Sequence, residues 1–217
     1  MRRKVELVSG QYYHVYNRGV EKRDIFLDDS DYLRFLKSLK CFNQEDPIFS
    51  LFWNNIKKRN LGVGSLKSRK LVDIVAYCLN PNHFHLLLKQ VIDGGISEFM
   101  RRLGTGYTGY FNHKYQRSGV LFQGRFKSIH ISSNSYLLYL SAYINENNFI
   151  HGYTENSRNW KYSSYSDYIG ERQGELCNKD IILDQFGYDF KGYEEFSREN
   201  ALYLKERKED EKYLLEN

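Results

Sequence analysis

The chain has 217 residues, of which 41% are hydrophobic and 27% charged. That length and balance suit one domain with a substantial core, or one domain with an appendage, and exclude an intrinsically disordered chain. The net charge of +5 favours a polyanionic partner only weakly, no apolar run is long enough to span a membrane, and Cys41, Cys78 and Cys177 are odd in number and too scattered for a disulfide framework or a metal knuckle, which points to a reducing cytoplasm.

Gln11 to Arg18 is rich in aromatics and valine and predicts a strand, ended by Gly19. Asp28 to Asp31 then offers N-caps for a helix carrying Tyr32, Leu33, Phe35, Leu36 and Leu39. Residues 47–70 mix a short apolar anchor with many basic residues and read as an insertion or loop. Leu71 to Leu79 predicts a buried strand, Asn80-Pro81-Asn82 interrupts it, and His83 to Lys89 predicts the next strand.

A helix is expected from about Ile96 to Tyr115, where Ile96, Phe99, Met100, Leu103, Tyr107, Tyr110 and Phe111 recur at helical spacing. Gly104, Gly106 and Gly109 weaken it by about 1 kcal/mol each relative to alanine, and make room for a close backbone approach. Arg125 to Ile131 alternates as a strand does, and Ser132 or Ser133 caps a further helix to about Asn147. The final residues mix Glu, Lys and Arg as a solvated helix does. The order strand, helix, strand, strand, helix, strand spells an α+β, ferredoxin-like split βαβ with an antiparallel sheet, followed by a further helix and a helical tail.

Two places carry candidate chemistry. His83 and His85 stand two apart on a strand and share a face, with Phe84 turned away. Two adjacent imidazoles suit one divalent metal, and they equally suit polar surface or a hydrogen-bonded pair. On the later helix Tyr143 and Asn147 stand four apart and share a face. Tyr143 also completes an apolar stripe with Tyr136, Leu140 and Ile144. Between these places, from Phe99 to Asn145, no acidic residue occurs, while Arg101, Arg102, Lys114, Arg117, Arg125 and Lys127 alternate with aromatics. Such a stretch suits a nucleic-acid strand, or a solvated basic face over a core. His14 is expected either to face the histidine pair or to be structural, and His113, His130 and His151 have no partner at ligand spacing.

Pro81-Asn82-His83-Phe84-His85-Leu86-Leu87 resembles the signature of the HUH nucleases. With Tyr13-His14-Val15, Asn17-Arg18-Gly19, Ala76 to Asn80, Ser118 to Ser128, Tyr136-Leu137-Leu138 and Trp160 to Tyr165, the chain resembles the IS200-like tyrosine transposases in their REP-associated branch. The likeness spans roughly residues 10–170. It implies a ferredoxin-like fold whose late helix is catalytic, and a domain over residues 1–170 followed by a helical extension over 171–217. It implies metal-assisted cleavage and rejoining of single-stranded or hairpin DNA in transposition.

The resemblance also assigns roles. Tyr143, at the start of Tyr143-Ile144-Asn145-Glu146-Asn147-Asn148, takes the place of the nucleophile. His83, His85 and Asn147 take the places that hold Mg²⁺ or Mn²⁺. Asn148 stands where the family usually has proline, and Asn80 where it often has methionine. A monomer or homodimer in a bacterial cytoplasm, associated with the nucleoid and with no membrane partner, is implied. The competing readings are a catalytically inactive hairpin DNA- or RNA-binding protein on the same fold, and a metal enzyme acting on small substrates.

Overall fold

The computed structural model describes residues 6–46 and 69–216. The expected insertion at 47–70 therefore lies almost wholly outside the described residues. Four strands form one antiparallel sheet: β1 (Tyr12–Arg18), β2 (Val72–Asn80), β3 (His83–Gln90) and β4 (Lys127–His130), in the order β2-β3-β1-β4. Helix α1 (Asp29–Phe42) joins β1 to β2, and α2 (Gly95–Lys114) joins β3 to β4. This is the expected split βαβ arrangement. After β4 come α3 (Asn134–Asn145), the single turns α4 (Asn147–Ile150), α5 (Tyr165–Tyr168) and α6 (Asp180–Leu183), and the long α7 (Phe190–Glu216).

The helix starts follow from capping. The Asp28 carboxylate accepts from the Asp31 N–H at the head of α1, and the Ser133 hydroxyl accepts from the Tyr136 N–H at the head of α3. β4 is shorter than the expected strand because Gly124, at φ +71°, turns the chain away just before it. Of Gly104, Gly106 and Gly109, only Gly106 has a close neighbour among the described residues, and that neighbour is a ring rather than a backbone: a Cβ there would sit 2.8 Å from Phe42.

Alternation along the strands sends side chains to two cores. On the first face, Tyr13, Val15, Phe84, Leu86 and Leu88 meet Phe35 and Leu39 of α1 and Phe99, Leu103 and Tyr107 of α2. On the second face, Val75, Ala76, Cys78 and Leu87 meet Leu137, Leu140 and Ile144 of α3. Each such buried large side chain contributes about 1.5–3 kcal/mol of transfer free energy. Ile182 and Leu183 of α6 and Tyr193 of α7 join the second core, so the segment after residue 170 completes it. The segment Tyr162 to Ser164 runs along the outer edge of β2: Leu79 N–H donates to the Tyr162 carbonyl and Ser164 N–H to the Tyr77 carbonyl. That covering removes an open sheet edge.

Candidate functional site

The alternation that buries Phe84 on the first face turns His83 and His85 to the second, beneath the end of α3. Both are nearly enclosed, at 6% and 7% exposure, and their ring centroids are 5.1 Å apart. The two-residue turn Pro81-Asn82 sets Asn80 directly across the ladder from His83. The Asn80 amide N–H₂ lies 3.0 Å from His83 Nε2. An amide nitrogen only donates, so His83 Nε2 carries a lone pair. Its proton is on Nδ1, which lies 2.6 Å from the Asn82 side-chain oxygen. Nε2 is thus presented bare to the interior, the form in which imidazole binds a metal.

His14 belongs to the same site. Its Nε2 lies 2.7 Å from His85 Nδ1, and the two rings stack at 5.0 Å. Tyr16 stacks on His85 at 5.6 Å, with Lys127 above the Tyr16 ring. Burial lowers the pKa of His14 and of His83 to about 4, and that of His85 well below its ordinary value. All three are neutral imidazoles at pH 7.

Tyr143 hangs over this pair from α3. Its ring centroid is 5.7 Å from that of His85 and 6.2 Å from that of His14, edge-on to both. It is half-buried, packed against both the second core and Phe149. Burial raises its pKa, and a hydrogen bond with Asn147 pulls it back. The helix does not run unbroken from Tyr143 to Asn147. It ends at Asn145, Glu146 forms a bend at φ −98° and ψ 7°, and α4 restarts at Asn147. The hydrogen bonds from Glu146 N–H to the Ala142 carbonyl and from Ile150 N–H to the Glu146 carbonyl keep the two pieces in register, so the shared face survives.

The Asn147 side-chain oxygen is 3.4 Å from His83 Nε2 and accepts from the Asn80 amide at 2.6 Å. Among the described residues, no group of three or more His, Cys, Asp or Glu side chains could hold a metal. The donor set is therefore two imidazoles and amide oxygen. A separation of 3.4 Å lets two atoms ligate one ion at about 2.1 Å each, as Mg²⁺ and Mn²⁺ sites require. The residues fit such an ion.

His151 has no partner at ligand spacing in the sequence, but the fold brings it to the site. Its ring centroid lies 5.3 Å from that of His83. Lys208 of α7 donates to His151 Nδ1 at 2.8 Å, so the His151 proton is on Nε2. The signal was present: residues 143, 147 and 151 are each four apart, one face of a helix carried across the bend. Lys208 had no such signal, because α7 folds back from a distant part of the chain.

The basic residues divide. Arg101 and Arg102 both pair with Glu98, and Arg102 also donates to the Gln44 and Glu45 carbonyls. Lys114 is held by Asp28, Asp31 and Ser30, and Arg117 by Asn112 and the Val120 carbonyl. Arg125 and Lys127 are exposed. On the first face, a groove of about 1590 Å³ opens between α2 and the 119–126 loop, with Arg101, Thr105, Thr108, Gln123 and Arg125 on its walls.

Residues 50–147 match the family model described as "Transposase IS200 like". The matched segment is a little under half of the chain, and over it the chain is similar to the IS200-like transposases. His83, His85, Tyr143 and Asn147 all fall within the match, whereas His14 and His151 lie outside it. The fold of the chain is similar to that in a structure described as a REP-associated tyrosine transposase bound to a REP hairpin. The two are 13% identical and superpose with a TM-score of 0.51 over 82% of this chain and 94% of that one. No curated protein sequence matches the chain. Among the described residues, no helix is long and apolar enough to cross a membrane.

Proposed function

We propose that this chain is an IS200-like transposase that cleaves and rejoins single-stranded DNA through Tyr143, at a site that His83, His85 and Asn147 equip for a divalent metal. The observation that carries this reading is the phenol ring standing 5.7 Å from His85 on the same side of the sheet as His83. The Tyr143 phenol gives up its proton to solvent and its oxygen attacks the phosphorus of one phosphodiester. The bond from phosphorus to the 3′ oxygen breaks, and that oxygen takes up a proton. A 5′-phosphotyrosine and a free 3′-hydroxyl result. The new ester keeps the energy of the broken one, so a later 3′-hydroxyl reverses the step without ATP. Mg²⁺ or Mn²⁺, when bound, supplies positive charge to the phosphate oxygens.

The chain's own residues do the rest. His83 Nε2 and the Asn147 oxygen face the metal position, with Asn82 holding the His83 tautomer from behind. His14 braces His85. The phenol of Tyr143 is harder to ionise than free tyrosine because it is buried, so it reacts only when a cation shares its pocket. Arg125 and Lys127 are the exposed cations for the DNA backbone. Arg101, Arg102, Lys114 and Arg117 have part of their charge already paired, and Arg101 shares the first-face groove with Arg125. The hairpin held by the similar structure makes a hairpin the first substrate to try.

The test is a labelled stem-loop DNA incubated with the protein and Mn²⁺, then run in denaturant. Wild type is expected to give a DNA-linked band that Tyr143→Phe does not, with salt-dependent DNA binding retained in both. An adduct from Tyr143→Phe would sink Tyr143 as the nucleophile. Tight binding with no adduct from either would favour the non-cleaving hairpin-binding protein.

A further inference from the structure

We propose that Asn80 is a further oxygen ligand of the metal position. This rests on the reading that His83 and Asn147 hold a divalent ion, and assigns a role to a residue outside that set.

Asn80, His83 and Asn147 form a closed triangle. The Asn80 nitrogen is 3.0 Å from His83 Nε2 and 2.6 Å from the Asn147 oxygen, and those two acceptors are 3.4 Å apart. The Asn80 N–H₂ thus points at both atoms that would hold an ion. Asn80 and Asn147 are fully enclosed, with no exposed area. A cation lying against both acceptors would also lie against the two amide hydrogens, which carry partial positive charge. In so enclosed a site that contact is repulsive.

The amide has a low-cost way out. Among the described residues, its oxygen meets the Cys78 thiol, at 3.5 Å. A thiol is a weak donor, so little holds the oxygen there. Turning the Asn80 amide end for end exchanges its two ends. The nitrogen then faces the Cys78 sulfur, and the oxygen takes the place opposite His83 and Asn147. The rotation needs no backbone movement, since an amide's two ends have nearly the same shape. In the same corner the Asn147 nitrogen has no hydrogen-bond partner among the described residues, so that amide too is held by its oxygen. With Asn80 turned, two amide oxygens and two imidazole nitrogens surround the position. This is a harder set than two imidazoles and one amide, and it moves preference toward Mg²⁺ and Mn²⁺.

The test uses the full chain stripped of metal by chelation and titrated with Mn²⁺ alone, with free ion read by electron paramagnetic resonance. Asn80→Leu, close to asparagine in shape but without donors, is expected to bind Mn²⁺ about tenfold more weakly than wild type. Asn80→Asp, which adds a formal charge at unchanged volume, is expected to bind more tightly. Unchanged affinity in Asn80→Leu would overturn the assignment. If that variant does not fold, Asn80→Asp decides alone, and affinity equal to or below wild type overturns it. A wild type binding no better than a His83→Ala, His85→Ala double variant would remove the metal reading itself, and Asn80 with it.

Discussion

At the scale of single residues, the site is a set of protons assigned by neighbours. Asn82 puts the His83 proton on Nδ1, and Lys208 puts the His151 proton on Nε2. Burial keeps these rings neutral, and that has a consequence for stability. Unfolded, each histidine protonates near pH 6.5. Folded, His14, His83 and His151 protonate only near pH 4, because burial disfavours the charged ring. Between those values the unfolded chain binds more protons than the folded one. Stability is therefore fully present above about pH 6.5 and falls as pH drops toward about 4. Urea midpoints measured from pH 7.5 to 4.5 are expected to decline across that window, and less steeply in His14→Phe. A midpoint that stays level would show that the rings are not enclosed as described.

Elements bring these residues together by two periods. The period of two along β3 separates Phe84 from His83 and His85, so one strand serves a core and a site at once. The period near four along α3 and α4 lines up Tyr143, Asn147 and His151 across the bend at Glu146. The Glu146 side chain is fully buried beneath that bend, where the Ser157 hydroxyl donates to it and Arg198 of α7 lies near. The packing of α1 on α2 makes a separate prediction. A methyl group at Gly106 would press on the Phe42 ring at 2.8 Å, whereas one at Gly104 meets nothing within 4 Å. Gly104→Ala is expected to stabilise by about 1 kcal/mol through helix propensity. In Gly106→Ala the same gain is outweighed by overpacking, for a net loss of about 1 kcal/mol. Opposite shifts in urea midpoint check this; matching shifts would show that α1 and α2 are not so closely seated.

For the molecule as a whole, α7 ties the C-terminal segment to the site. Tyr193 is enclosed against Tyr168 and Phe186, and its hydroxyl accepts from Asn145 at 2.8 Å. Arg198 and Lys205 both lie over the Phe149 ring. An extension joined this closely unfolds with the sheet. Calorimetry is expected to give one cooperative transition, lowered by about 3–5 kcal/mol in Tyr193→Ala. Two separate transitions, or a Tyr193→Ala variant as stable as wild type, would show the segment after residue 170 to be an independent unit.

Much of this was legible in the chain itself. The strand and helix order followed from local periodicity and capping, which depend on neighbours a few residues apart. The pairing of His83 with His85, and of Tyr143 with Asn147, came from the same short-range geometry, and the ordered motifs supplied the resemblance to the IS200-like transposases. Spacing alone left Asn147 and His151 on different footings, although one helix face holds both. Tertiary structure decided what distant segments bring. Register between β1 and β3 set His14 against His85, the turn at Pro81-Asn82 set Asn80 across from His83, and the return of α7 delivered Lys208 to His151. Tertiary pairing also decided which basic residues keep a free charge: Arg102 and Lys114 meet acids and carbonyls, while Arg125 and Lys127 stay exposed. Such contacts depend on where whole elements pack, and no local pattern encodes that distance.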